Sequence, residues 1–162
     1  QPGPTFGFVA DMHQLPFGNG TFQAVFGSMV IHHSYDHYWL GKEIARVTRS
    51  GGRAIFHENS ARNPFLMIAR ATLVGRFGVP RNSSPGEHPL RPGEVAAFGQ
   101  AFNACNVLIG RIFLAQLAVK YLLKSEHGTM FKQAARFDNW LYRVVPGLRP
   151  LSYYQIVMCQ KT

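Results

Sequence analysis

Asp11 closes a short apolar run, Gly7 to Ala10, and stands just ahead of Leu15-Pro16-Phe17 and a Gly18-Asn19-Gly20 turn. A carboxylate at the end of a strand can accept a hydrogen bond from a ligand amino group, while the next backbone N–H, that of Met12, meets a ring nitrogen. The same acid can instead do no more than cap the turn before Leu15. A second group follows the next apolar run: Ser28-Met29, then Ile31-His32-His33. A third, His57-Glu58, follows the run "RAIFH", with Tyr35 and His37 as further polar candidates. Imidazole and carboxylate there suit a general base, needed only if a reacting group holds a proton that must leave. The alternative for each is ordinary loop polarity or packing at a turn. His32, His33 and His37 also invite a metal reading. No Glu follows them in the zinc-helix arrangement and no Cys lies nearby, so the spacing gives no metal centre.

The elements that would position these groups follow from periodicity. Phe22–Ile31 reads as a buried strand, and Trp39–Val47 as a helix with Leu40, Ile44 and Val47 on one face. Ser50-Gly51-Gly52 stops that helix, and Arg53–His57 is the next strand. Strand, helix, glycine turn and strand make a βαβ unit, so the fold class is α/β. Pro64–Val74 predicts an amphipathic helix, Gly75–Pro92 a long loop, and Gly93–Phe102 a further helix. Asn106–Phe113 predicts a strand, and Leu114, Leu117, Ala118, Tyr121 and Leu122 a helical stripe. Phe131–Val144 predicts another helix, and Ser152–Gln160 a last strand.

The 162 residues suit one domain with a real core. All seventeen Lys and Arg lie at or beyond Lys42, giving a formal net charge of +9. An anionic partner such as nucleic acid is one reading of that basic part, and a solvated surface with scattered charges is the other. Cys105 and Cys159 are far apart and match no metal spacing, so a reducing, cytoplasmic setting is the expectation. The apolar segment 107–123 is broken by Arg111, Gln116 and Lys120 and is not a membrane span.

Taken together, "VADMHQLPFGNGTFQAVFGSMVIHH" and "EIARVTRSGGRAIFHE" resemble the class I S-adenosylmethionine-dependent methyltransferases, closest to their small-molecule branch. The resemblance rests on Asp11, Leu15 to Phe17, Phe22 to Val25, Ile31 to His33, and Glu43 to Gly52 in that order. Gln23 stands where the family has Asp, and Arg49-Ser50 where it has Lys-Pro. The resemblance implies a Rossmann-like fold, a mostly parallel sheet with an antiparallel C-terminal strand, in which the family's strands 1 and 2 and its Gly-x-Gly loop are missing. Residues 1–162 then form a single partial domain. Residues 1–58 are the cofactor-side βαβ part, 59–92 a substrate lid, and 93–162 the C-terminal helices and strands. Asp11 and Met12 would contact the adenine of S-adenosylmethionine, and Ser28, Met29 and His33 would lie beside its methionine moiety. His57, Glu58 and His33 are the catalytic candidates. The apolar lid residues Phe65, Leu66, Met67, Ile68, Leu73 and Phe77 imply a small, partly apolar methyl acceptor, or else plain core packing. A non-catalytic, degenerate methyltransferase or a basic nucleic-acid-binding module is the competing expectation. With the family's strands 1 and 2 absent, Gly7–Ala10 is left away from its sheet, and the exposed edge "FQAVFGSMVI" implies self-association and no affinity of this polypeptide for the cofactor.

Overall fold

The computed structural model describes residues 6–76, 87–110, 114–125 and 127–162. Phe77, most of the expected loop 75–92, and the end of the expected strand 106–113 lie outside them. A four-stranded sheet organises the chain, with β1 (Phe22–Ser28), β2 (Thr48–Asn59), β3 (Ala104–Ile109) and β4 (Tyr154–Gln160) in the order β1-β2-β4-β3. β1 and β2 are parallel, and β4 runs antiparallel to both β2 and β3. Three strands therefore share one direction and the C-terminal strand opposes them, as the resemblance implied.

Between β1 and β2 lies helix α1 (His37–Val47). Asp36 caps it by accepting the Trp39 N–H at 2.9 Å. Leu40, Ile44 and Val47 are buried, as their spacing demands. The helix ends at Val47, ahead of the glycines, where Thr48 turns to extended backbone, and Lys161 reaches its last turn. The Lys161 Nζ donates to the carbonyls of Ala45 and Thr48 at 2.7 and 2.8 Å. Gly51, at φ 77°, shapes the irregular start of β2 instead of stopping the helix. There the Gln23 side chain donates to the Gly51 carbonyl, so this departure from the family residue keeps a contact.

Alternation along β2 and β4 puts Ala54, Phe56, Glu58, Gln155, Val157 and Cys159 on one buried face. Leu40 and Ile44 of α1 and Phe98 of α3 (Pro92–Gly99) join Ala54, Phe56, Val157 and Cys159 in one core cluster, with Ile31 and Leu90. The opposite face is open at β1, where Phe26 is 71% exposed. Helices α2 (Pro64–Leu73), α4 (Leu114–Leu122) and α5 (Thr129–Val144) complete the described elements, and α4 packs on α5. No helix among the described residues is long and apolar enough to cross a membrane.

Gly7–Ala10 pairs with no strand and is exposed, as expected of a run left away from its sheet; the nearest bridge joins Asp11 to Gln14. Two sequence expectations are corrected. The strand expected to reach Ile31 stops at Ser28, because Met29 turns into the left-handed region at φ 58°. Cys105 and Cys159 face each other in the β3–β4 register and are disulfide-bonded. Their sequence separation of 54 concealed that adjacency, and the bond removes the argument from cysteine spacing for a reducing compartment.

Candidate functional site

The Leu-Pro-Phe turn and the Glu-x-x-Arg pattern, distant in sequence, are two halves of one clamp. Glu43 and Arg46 lie one turn apart on α1 and pair at 2.6 Å. Glu43 accepts the Leu15 N–H at 2.7 Å, and Arg46 donates to the carbonyls of Leu15 and Phe17 and to the Asn19 side chain. Arg46 holds the Glu43 carboxyl below the usual carboxylate range, and Glu43 pushes the guanidinium up. Both charges thus stay on at neutral pH, and the 15–20 turn is fixed against the helix.

That turn sets the place of Asp11 and Met12. Met12 packs against the core cluster, while the Asp11 side chain remains 62% exposed. The Asp11 Oδ1 accepts the His13 N–H at 2.8 Å, and this bond is the main reason its pKa lies below the ordinary value. The buried His13 ring lies 3.2 Å from the same oxygen through Nδ1 and 2.8 Å from the Ser34 Oγ through Nε2. Tyr35 stacks on that ring at 4.0 Å. His13 therefore ties Asp11 to the segment just after His33. Sequence reasoning missed it, because a partner 21 residues away leaves no local pattern.

The carboxyl ends of β1 and β2 hold the remaining candidates. Ser28 is paired in register with His57, and its Oγ lies 3.5 Å from the His57 Nδ1. The Met29 N–H donates to the His57 carbonyl at 2.8 Å, which stabilises the left-handed turn that Met29 adopts. His57 is partly buried and packs its ring 4.6 Å from Tyr154. His33 is exposed in the 3-10 turn Ile31–His33, with its ring 4.1 Å from His32. Glu58 is a different case, for it is fully buried. One oxygen accepts the N–H groups of Val30 and Ile31, both at 2.7 Å, and the other lies 2.6 Å from the His32 Nδ1. A carboxylate so occupied holds the 30–33 turn in place and does not reach out to an acceptor. In open α/β sheets ligands bind beyond the carboxyl ends of the strands, and Ser28 and His57 stand at those ends of β1 and β2.

Residues 3–56 match the family model of the methyltransferase domain. The fold is that of a class I methyltransferase. Among solved structures, the chain is similar to an S-adenosylmethionine-dependent methyltransferase, possibly a histamine N-methyltransferase, from Thermotoga maritima. The TM-score is 0.60 at 12% identity, over 94% of this chain and 62% of that one. It is also similar to the geranyl diphosphate C-methyltransferase of Streptomyces coelicolor A3(2), a complex with Mg2+, geranyl diphosphate and S-adenosyl-L-homocysteine. There the TM-score is 0.51 at 15% identity, over 96% of this chain and 52% of that one. The chain thus spans under two thirds of the length of these methyltransferases. No curated protein matches it. The matched segment contains Asp11, Met12, Ser28, Met29, His33, the whole Glu43–Arg46 clamp and the start of β2.

Proposed function

We propose that the protein transfers a methyl group from S-adenosylmethionine to a small, partly apolar molecule. The observation that carries this reading is that the segment matching the methyltransferase family is the segment folded by the Glu43–Arg46 clamp, which leaves the Asp11 carboxylate open. Asp11 would accept a hydrogen bond from the adenine amine, and the Met12 N–H would meet a ring nitrogen. Ser28, Met29 and His33 would border the methionine end. The cofactor, when bound, supplies an electron-poor methyl group on sulfur. The work left to the protein is chiefly positioning, since methyl transfer needs an in-line approach. His57, beside Ser28 at the sheet's carboxyl end, is the residue suited to take a proton from the acceptor. Glu58 acts through the turn it anchors and is a positioning residue. On the lid side, α2 buries none of its residues and leaves Phe65 and Ile68 exposed, which suits an apolar acceptor.

Calorimetry on the full-length protein tests the assignment. Asp11→Ala should weaken S-adenosylmethionine binding measurably, by removing the acceptor for the adenine amine. Unchanged affinity would remove Asp11 from the site. Residues 1–162 assayed alone should show no measurable affinity, because the residues before Asp11 hold no Gly-x-Gly loop to receive the methionine end. Labelled methyl should appear on small apolar acceptors. Steeply salt-dependent transfer to tRNA or DNA would overturn the small-molecule reading.

A further inference from the structure

We propose that His32, His33 and Glu87 form a binding site for one divalent transition-metal ion of the zinc type. Their ligand atoms all lie within 4.8 Å of one another. His32 is buried between two carboxylates, with Nδ1 2.6 Å from Glu58 and Nε2 3.4 Å from Glu87. The first contact is a short hydrogen bond. It commits the ring proton to Glu58 and leaves the Nε2 lone pair facing a second acceptor, an arrangement that calls for a cation between them. The second distance is longer than a good N–H···O bond. It equals the separation of about 3.4 Å expected for a nitrogen and an oxygen each about 2.1 Å from a tetrahedral ion. A buried carboxylate on the far nitrogen of a ligating histidine is the usual way such a ligand is oriented. Glu58 is itself fixed by two backbone N–H groups.

The fold explains how the third ligand arrives. The chain returns to the end of β2 through the Ser60–Leu90 bridge, where the Leu90 N–H donates to the Asn59 carbonyl and the Gln155 side chain donates to the Leu90 carbonyl. This anchor sets Glu87 beside the 31–33 turn. Two imidazoles and one carboxylate favour zinc or a similar first-row ion over Mg2+ or Ca2+, which prefer oxygen alone. Three protein ligands also leave a coordination position open. A histidine has two ring nitrogens, so His33 can ligate the ion and still lie at the border of the methionine site.

The probe is the metal alone, added to chelator-treated protein. Calorimetry with Zn2+ should show one equivalent bound, and Co2+ should give the visible absorption of a tetrahedral site. Glu87→Gln and His33→Ala alter side chains on the surface or near it, so the core is untouched, and each should weaken uptake at least tenfold. His127→Ala, at an exposed loop histidine, should leave it unchanged. The proposal fails if no stoichiometric uptake occurs, in which case a proton on His32 satisfies both carboxylates. It fails equally if uptake survives in both ligand variants. Because the readout is metal alone, failure here leaves the methyl-transfer reading standing, and loss of cofactor binding leaves this one standing.

Discussion

At the scale of single residues, Glu43 carries more of the site than any residue that would touch a ligand. It joins α1 to the turn that presents Asp11 and Met12. Glu43→Gln keeps the shape but loses the charge-assisted bonds to Arg46, and should cost about 1–3 kcal/mol in chemical denaturation. The pH dependence follows from the direction of the shift. The Glu43 carboxyl is lowered in the folded protein, first by Arg46, so its stabilisation is full above the ordinary range near pH ~4.3 and is lost as pH falls through the lowered value. The wild type should therefore lose stability faster than the variant as the solution is acidified below that range. Equal slopes in the two proteins would show that the pair contributes nothing. Asp11, the Leu-Pro-Phe turn and the Glu-x-x-Arg pattern were legible in the sequence because they are local spacings. His13 and Glu87 were not. Each acts through a partner that only the fold brings near, Ser34 for the one and His32 for the other.

Elements were read more surely than their ends. Every β-strand and α-helix of the described residues was foreseen by periodicity, but the 3-10 turns Ile31–His33 and Pro146–Leu151 were not. Gly7–Ala10 forms no strand, because apolar character without a pairing neighbour makes none. Ends moved at β1, where the Met29 backbone turns into the left-handed region, and at β2, which begins at Thr48 instead of Arg53. Lys161→Met should lower the melting temperature by removing two charge-assisted bonds to helix carbonyls, and an unchanged melting curve would show that water replaces them. The cross-strand Cys105–Cys159 bond joins β3 to β4. Reduction should cost about 2–4 kcal/mol, the range for a closed loop of this size. Thermal unfolding with and without a reductant checks it, and identical curves would mean the thiols do not restrain the unfolded chain.

For the whole molecule, the decisive fact is an uneven sheet. One face is covered by α1 and α3; the other is open where β1 forms the edge and exposes Phe26. Among the described residues no strand pairs with the outer side of β1. Such an edge offers unpaired backbone groups and an apolar side chain to another copy. Sedimentation should show concentration-dependent association of residues 1–162, and Phe26→Lys should shift it towards monomer. A wild-type monomer at high concentration would mean that the net charge of +9 keeps copies apart.

The placement of β4 has a consequence for how the protein is made. β4 is the last strand in sequence, yet it lies between β2 and β3, and among the described residues β3 touches the sheet only through it. During synthesis, β3 emerges about 50 residues before its strand partner β4, a wait of about 3–10 s at ordinary elongation rates. Throughout that interval, β2 has a bare inner edge, β3 has no partner, and Cys105 is a thiol with nothing to pair with. A nascent chain paused between residues 110 and 153 should therefore be open to thiol-specific labels and chaperones at β3. That window should close once the segment containing Tyr154 to Gln160 has emerged.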